Sequence, residues 1–194
     1  MSGRRQVEFF YDYVSVYSYL ADTRLATLDA EIVYRPMLLG AVMQATGNRP
    51  PATVEAKRRY LYEDIARWAN HYAVPLVMNP QFPQNTVRAL RLALVAQRLG
   101  RFAAMHRRLF DAMWVEQKNL EDEAVLAALA GEAGLDAEEC MQGTGDQAIK
   151  DQLRSNTDEA VSRGAFGAPT FFVGDDMFFG NDRFGFIRES IASA

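Results

Sequence analysis

The stretch that decides the fold of this chain is residues 7–21, which read VEFFYDYVSVYSYLA. Its first part, up to Tyr13, is short and rich in aromatic residues, which is typical of a β-strand. From Ser18 to Leu28 the apolar residues follow a three-and-four spacing, which predicts a helix. Residues 31–37 again have the pattern of a strand. A strand, a helix and a second strand so close together predict a right-handed βαβ unit.

The rest of the chain is predicted to be mostly helical before two more strands follow. The periodicity predicts helices over residues 53–72, 84–99, 101–117, 122–133, 136–141 and 146–163, with a proline-rich loop at 74–83. Strands are predicted at 169–173 and 177–179, and a last helix at 182–192. The order predicts an α/β fold in which one mixed four-stranded sheet is interrupted by a large helical insertion. We therefore expect a discontinuous sheet domain, residues 1–37 and 146–194, and an insertion domain at 38–145.

Composition and charge exclude several classes of protein. Hydrophobic residues make up 49% and charged residues 24% of the chain, so it can bury a core and is not disordered. The net charge of −4 argues against a broad basic surface for nucleic acid. The chain has no apolar run long enough to span a membrane. Because the N-terminal segment lacks the cleavage signature of an exported protein, we expect a cytoplasmic protein.

A shortage of cysteine and histidine limits the chemistry further. The chain has one cysteine, Cys140, and two histidines, His71 and His106. A disulfide, a Cys-x-x-Cys pair or a cysteine-based zinc site needs at least two cysteines, and a metal site made of histidines is not expected either. Cys140 is interpreted as a packing residue, and His106 is expected on a helix surface. Trp68 and Trp114 are expected to be core or cleft residues.

Ser15 and Ser18 stand where the first strand passes into the first helix. The simplest interpretation is an N-cap, in which a serine oxygen accepts a backbone N–H of the first turn. A helix N-terminus also stabilises an adjacent thiolate. Thioredoxin-type oxidoreductases carry a Cys-x-x-Cys motif at this junction, whereas this chain has two serines. A reacting sulfur would therefore come from a bound molecule, for which glutathione is the abundant cytoplasmic candidate.

The second feature with chemical meaning is residues 164–171, GAFGAPTF. The bond between Ala168 and Pro169 comes just before a predicted strand, where a cis peptide bond can be proposed. A proline that simply begins an edge strand is the alternative. With a cis bond, Ala168 would turn its N–H and C=O outward, where they could pair with the backbone of a peptide-like ligand.

Four motifs, taken together and in this order, resemble the family of 2-hydroxychromene-2-carboxylate isomerases. They are FYDYVSVYSYLA, GNRPP followed by KRRYLYEDIARWA, FGAPTFFVG and MFFGNDR. This family is similar to kappa-class glutathione transferases and shares the DsbA-like thioredoxin fold. The resemblance implies glutathione as cofactor, a small aromatic carboxylate as substrate and a homodimer. From charge, hydropathy and the few cysteines and histidines, we expect no nucleic acid, membrane or metal to be involved. One departure is Val16, which stands where the family commonly has proline after the catalytic serine.

The resemblance also assigns roles to individual residues. Ser15 matches the catalytic serine, whose hydroxyl hydrogen-bonds the glutathione sulfur. The other positions expected to bind glutathione are Asn48, Lys57, Tyr60, Ala168, Pro169, Gly180, Asn181 and Asp182. Lys57 and Tyr60 are three residues apart and so share one helix face, although a solvated surface charge is the alternative for Lys57. Asp182 is matched to the γ-glutamyl end of glutathione, and it or Asn181 could also cap the last helix.

The activity implied by the resemblance is a glutathione-dependent cis–trans isomerisation in aromatic catabolism. It converts 2-hydroxychromene-2-carboxylate to trans-o-hydroxybenzylidenepyruvate and regenerates glutathione. A kappa-like transferase or peroxidase, which consumes glutathione, is the alternative enzyme. A third hypothesis is a non-catalytic thioredoxin-fold binding protein.

Overall fold

The computed structural model describes residues 5–193, the side chain of Ala52 excepted, and its centre is one four-stranded sheet. The strands are β1 (Gln6–Tyr11), β2 (Glu31–Pro36), β3 (Thr170–Val173) and β4 (Asp176–Phe179). They lie in the order β2-β1-β3-β4, with β1 and β2 parallel and the other two pairs antiparallel. The predicted mixed sheet, made from the two ends of the chain, is confirmed.

Helices cover both faces of this sheet. They are α1 (Val16–Asp22), α2 (Leu39–Thr46), α3 (Glu55–Tyr72), α4 (Val87–Arg98), α5 (Phe102–Trp114), α6 (Glu123–Glu132), α7 (Ala137–Gly143), α8 (Gln147–Ser162) and α9 (Phe184–Ser193). Helices α2 to α7 lie between the two parts of the chain that form the sheet. The division into a sheet domain and an insertion domain stays a prediction, and residues 1–4 and 194, which it includes, lie outside the described residues.

The boundaries of the first elements differ from the prediction. The helix predicted up to Leu28 is interrupted after Asp22, and a short 3-10 turn, Leu25–Thr27, follows it. The Thr23 hydroxyl donates to the Leu20 carbonyl at 2.7 Å, so a side chain hydrogen-bonds to this carbonyl where α1 ends. Helix α2 was not predicted, because it is short and most of its residues are at least partly exposed, so that it lacks an apolar stripe.

Alternating aromatic residues on β1 anchor the core on both faces of the sheet. On one face the Phe9 ring stacks on Tyr11 and on Phe171 of β3, with centroids 5.1 and 5.2 Å apart. On the other face the rings of Phe10 and Phe172 meet edge to face at 5.5 Å. Successive side chains of a strand point to opposite faces, so β1 contributes to both core clusters. The end of β1, where the Ser15 segment begins, is therefore firmly held.

The prediction that His106 lies on a helix surface is wrong. The neighbouring Arg107 and Arg108 suggest a polar face, but His106 is only 4% exposed. Its Nε2 lies 2.9 Å from Asp22 Oδ1, and its Nδ1 lies 2.8 Å from the Tyr13 hydroxyl oxygen. Both ring nitrogens therefore have partners, which removes the cost of burying a polar ring. His106 belongs to the core beneath the β1–α1 junction.

The interpretation of Cys140 as a packing residue agrees with its position. The side chain is buried, and burial together with Glu139 and Asp136 raises the pKa of its thiol. We expect this thiol to react about a hundredfold more slowly with a thiol reagent in the folded protein than in denaturant, because reaction needs an exposed thiolate. The rate of colour release from an aromatic disulfide measures this, and equal rates in the two conditions would contradict a buried thiol.

None of the helices within residues 5–193 combines the length and the apolar character that a membrane span requires. In the same part of the chain, no group of three or more histidine, cysteine, aspartate or glutamate side chains is arranged to hold a metal ion.

Candidate active site

Ser15 lies where β1 passes into α1 and is 7% exposed. It is the N-cap of α1, and its Oγ accepts the Ser18 N–H at 3.1 Å, which confirms the N-cap interpretation. The same hydroxyl donates to the carbonyl oxygen of Ala168 at 3.0 Å. The pairing of β1 with β3 places the first helix beside the segment before β3, and this hydrogen bond connects the two.

The bond between Ala168 and Pro169 is cis, as proposed from the sequence. These two residues, called the cis-proline turn below, come directly before β3. The Pro169 carbonyl accepts the Gly180 N–H at 3.0 Å. The cis-proline turn therefore lies between the Ser15 hydroxyl on one side and the segment before α9 on the other.

Residues 180–182 form that segment, and each has a distinct environment. Gly180 has a φ of +107°, which favours glycine. Asn181 is only 4% exposed; its carbonyl accepts the Tyr72 hydroxyl at 2.7 Å, while its Nδ2 has no hydrogen-bond partner within residues 5–193. A buried donor without a partner costs free energy, so this amide is suited to meet a ligand acceptor.

Asp182 does not cap the last helix. Helix α9 begins at Phe184, and the Arg183 carbonyl accepts its first helical N–H, from Ile187. Asp182 thus lies one residue before the cap position, and its exposed carboxylate forms an ion pair with Arg183. The carboxylate is open to solvent on a short segment that touches the cis-proline turn.

Gly180→Ala is expected to destabilise the fold by about 1–2 kcal/mol, because an L-residue at this φ is strained. A Cβ here would also lie 2.7 Å from Asp182 Oδ1 and would displace that carboxylate. Denaturant unfolding measures the effect. Gly40→Ala, in helix α2 where a Cβ meets nothing within 4 Å, is the control and should not be destabilising. Equal stability of the Gly180 and Gly40 variants would contradict this account of residue 180.

Asn48 reaches the same region from the loop after α2. Its Nδ2 donates to the Phe166 carbonyl at 2.8 Å, and its Oδ1 accepts the Arg49 N–H at 2.8 Å. Phe166 precedes Ala168 by two residues, so Asn48 fixes the approach to the cis-proline turn. Its contact is with the protein backbone, and its exposed position leaves it at the edge of the site.

Lys57 and Tyr60 line an open cleft of about 450 Å³ beside α1. The cleft is bounded by Tyr17, Pro51, Ala56, Lys57, Tyr60 and Leu61. Tyr60 is 61% exposed and Lys57 is exposed as well, so both are accessible from solvent. Tyr17 follows Ser15 by two residues, which places this cleft next to the N-terminus of α1.

Two residues of this region were missed in the sequence: Tyr17, which lines the cleft, and Asp64, which accepts hydrogen bonds from two of its tyrosines. The Tyr17 hydroxyl donates to Asp64 Oδ2 at 2.7 Å, and the Tyr60 hydroxyl donates to Asp64 Oδ1 at 3.3 Å. Burial, and then the Asp64 carboxylate, raise the pKa of the Tyr17 phenol well above its usual value, so it stays protonated at neutral pH. The four-residue spacing of Tyr60 and Asp64 was the available signal, because it places them on one helix face.

The structure thus brings all the predicted positions into one region. Direct hydrogen bonds connect Ser15, the cis-proline turn of Ala168 and Pro169, and Gly180, which Asn181 and Asp182 directly follow. Asn48 donates a hydrogen bond to the Phe166 carbonyl, two residues before Ala168, and Lys57 and Tyr60 line the cleft beside α1. Trp114 does not belong to the region, because its ring is fully buried and its Nε1 donates to the Tyr13 carbonyl at 2.8 Å. Trp68 is half-buried and packs on Tyr72.

Comparison with known proteins agrees with this fold. A family model described as a DSBA-like thioredoxin domain matches residues 6–192, which confirms the predicted fold. The chain is 31% identical over 190 residues to a 2-hydroxychromene-2-carboxylate isomerase of Sphingobium xenophagum, covering 95% of this chain and 96% of that protein. It is 30% identical over 204 residues to glutathione S-transferase kappa 1 of Caenorhabditis elegans, covering 95% and 89%.

A solved structure of 2-hydroxychromene-2-carboxylate isomerase superposes on the chain with a TM-score of 0.88 at 30% identity, covering 96% of this chain and 94% of that one. The relatives are therefore enzymes, named as isomerases and as glutathione transferases. Because the family model and these relatives span nearly the whole sequence, the chain belongs to the family of DSBA-like thioredoxin domains that includes the 2-hydroxychromene-2-carboxylate isomerases and the kappa glutathione transferases.

Proposed function

We propose that this protein is a glutathione-dependent isomerase that converts 2-hydroxychromene-2-carboxylate to trans-o-hydroxybenzylidenepyruvate. The observation that carries the proposal is the Ser15 hydroxyl, which lies at the N-terminus of α1 and 3.0 Å from the carbonyl of Ala168 in the cis-proline turn. The relatives named for this reaction support the choice of substrate. From the family resemblance we also propose a cytoplasmic homodimer.

The residues of the site fit glutathione, which carries two carboxylates, one ammonium and a peptide backbone. Asp182 offers a carboxylate to the ammonium, and the buried Asn181 Nδ2 offers a free donor. Lys57 supplies a cation in the cleft for a carboxylate. The Ala168 carbonyl, which accepts the Ser15 hydroxyl in the protein alone, is proposed to pair with the cysteinyl residue as an added strand would.

Ser15 has one hydroxyl proton, and the protein alone directs it to the Ala168 carbonyl. Its oxygen already accepts the Ser18 N–H, so we expect the hydroxyl to interact with a ligand by donating its proton in a hydrogen bond. When a ligand amide N–H takes over the Ala168 carbonyl, the Ser15 proton is released to turn toward the sulfur. Ligand binding and activation of the hydroxyl are linked in this way.

Glutathione held at this site would supply a thiolate nucleophile, able to add reversibly to a conjugated carbon of the substrate so that the former double bond could rotate before the thiolate is expelled. Ser15 need not lose its proton, because as a donor it favours the thiolate over the thiol. The N-terminus of α1 adds the positive end of a helix dipole. A free thiol has a pKa of about 8.5, and each unit by which the site lowers it corresponds to about 1.4 kcal/mol.

The test is to mix the protein with 2-hydroxychromene-2-carboxylate and follow the equilibration optically, with and without a small amount of glutathione. Rapid equilibration that requires glutathione and leaves its concentration unchanged after many turnovers is the expected result. No acceleration with glutathione present would refute the proposal.

The second candidate is a kappa-like glutathione transferase or peroxidase, favoured by the relatives named kappa glutathione transferase. This enzyme would use the same Ser15 and the same glutathione site. The stoichiometry separates the two, since a transferase or peroxidase loses one or more thiols per turnover. Parallel assays with 2-hydroxychromene-2-carboxylate, with an electrophilic aryl halide and with an organic hydroperoxide, each followed by a thiol titration, decide between them.

A further inference from the structure

Asp12, three residues before Ser15, is a carboxyl group that the proposed chemistry does not use. It is 1% exposed, so its charge is almost completely removed from water. Its Oδ1 accepts the Val14 N–H at 3.1 Å and the Thr86 hydroxyl at 2.5 Å, and its Oδ2 accepts the Leu39 N–H at 2.9 Å. Both carboxyl oxygens are therefore hydrogen-bonded to the protein.

The donors come from three separate parts of the chain. Val14 lies in the turn between β1 and α1, Leu39 is the first residue of α2, and Thr86 directly precedes α4. The Asp12 backbone carbonyl accepts the Ser15 N–H at 3.0 Å. The turn of residues 12–15 is called the Ser15 turn below, and the Asp12 backbone accepts a hydrogen bond within it. The Asp12 side chain connects this turn to the N-terminal ends of α2 and α4.

Burying a carboxylate is costly, and a role limited to ending β1 does not require it. Burial raises the pKa of Asp12, and the hydrogen bonds from Thr86, Leu39 and Val14 oppose that shift. A serine or asparagine could end the strand at a lower desolvation cost. The three-way connection, by contrast, needs a side chain that accepts hydrogen bonds on both of its oxygens.

We propose that Asp12 is a positioning residue that sets the place of the Ser15 hydroxyl relative to the cis-proline turn by fastening the Ser15 turn to α2 and α4. This inference rests on the proposed function for the role of Ser15. A catalytic group loses much of its effect when it is displaced by about 1 Å. If the hydrogen bonds of Asp12 are weakened, the Ser15 hydroxyl can shift and stabilise the glutathione thiolate less well, although no group that touches the sulfur has been removed.

The test compares Thr86→Val and Asp12→Asn with a control, Thr157→Val. Thr86→Val removes one donor to Asp12 and keeps the carboxyl group. Thr157, on α8, accepts the Leu38 N–H at 3.0 Å, so its replacement loosens the same end of α2 without touching Asp12. For each variant, the ultraviolet absorbance of the thiolate gives the pKa of bound glutathione, and steady-state kinetics give kcat and KM.

We expect Thr86→Val and Asp12→Asn to lower kcat about tenfold and to raise the pKa of the bound thiol by about one unit, with KM for glutathione within about twofold. Thr157→Val should keep the wild-type kcat and thiol pKa even if its melting temperature falls. Equal effects in Thr86→Val and Thr157→Val, or an effect confined to KM, would overturn the proposal. If Asp12→Asn does not fold, Thr86→Val decides alone.

The two proposals can fail separately. If the wild-type protein lowers the pKa of bound glutathione but does not isomerise the substrate, the proposed function is refuted and the thiol pKa of the variants still tests Asp12. If the wild-type isomerises the substrate but Thr86→Val behaves as Thr157→Val does, the role of Asp12 alone is refuted. A wild-type protein that binds no glutathione overturns both.

Discussion

Ser15→Ala is expected to lower kcat about ten- to a hundredfold, while the dissociation constant for glutathione stays within about threefold. The hydroxyl is the donor that lies at the cis-proline turn, and a hydrogen bond to a charged group is worth about 1.5–3 kcal/mol. Its loss leaves the thiolate less stable, but the contacts proposed for the backbone and the two ends of glutathione remain. Steady-state kinetics and calorimetry measure the two quantities.

The same substitution removes the N-cap of α1, so its effect on stability needs a control. Loss of a cap costs about 1 kcal/mol. Asp122→Ala removes the cap of α6, where the carboxylate accepts the Ala124 N–H at 2.8 Å, and this residue is not part of the site. The control should be destabilised in the same way and keep its activity. Wild-type turnover in Ser15→Ala would remove Ser15 from the reaction.

Asp182→Ala is expected to weaken glutathione binding about tenfold and to leave kcat at saturating glutathione within about twofold. The carboxylate is proposed to meet the ammonium of the γ-glutamyl end, remote from the sulfur. Loss of this contact lowers binding of the ground state and the transition state equally. The loss of affinity should shrink at high salt, because Asp182 is exposed and salt screens such pairs.

Asp175→Ala is the matched control for charge. Asp175 is exposed in the turn between β3 and β4, so its replacement changes the net charge equally without altering residues 180–182. Its affinity for glutathione should equal that of the wild-type protein. If Asp182→Ala also binds with unchanged affinity, Asp182 is not part of the glutathione site.

The sheet could be predicted from the sequence because each of its strands is a short segment rich in apolar and aromatic residues. Phe9, Tyr11 and Phe171 meet in the core because the pattern of each strand dictates which face they occupy. Helix α2 could not be predicted, since Val42 is its one buried residue and its position depends on hydrogen bonds from Leu38 and Leu39 to distant side chains. The helix propensities of the residues in α2 do not depend on such long-range contacts and so cannot predict them.

The candidate site shows the same division between local and distant information. The N-cap at Ser15 and the cis bond before Pro169 follow from residue types at element boundaries. That the two lie 3.0 Å apart depends on the pairing of β1 with β3, which joins residues about 160 positions apart. His106 was placed wrongly for a related reason, because its partners Tyr13 and Asp22 lie far away in sequence.

The most direct test of the account is the pKa of the glutathione thiol when it is bound to the protein, followed by ultraviolet absorbance as pH is varied. The account predicts that the wild-type protein lowers this pKa by at least about one unit from its value of about 8.5 in free thiols, and that Ser15→Ala restores most of the difference. A bound thiol that titrates as it does free in solution would contradict the claim that this protein ionises a sulfur it does not itself carry.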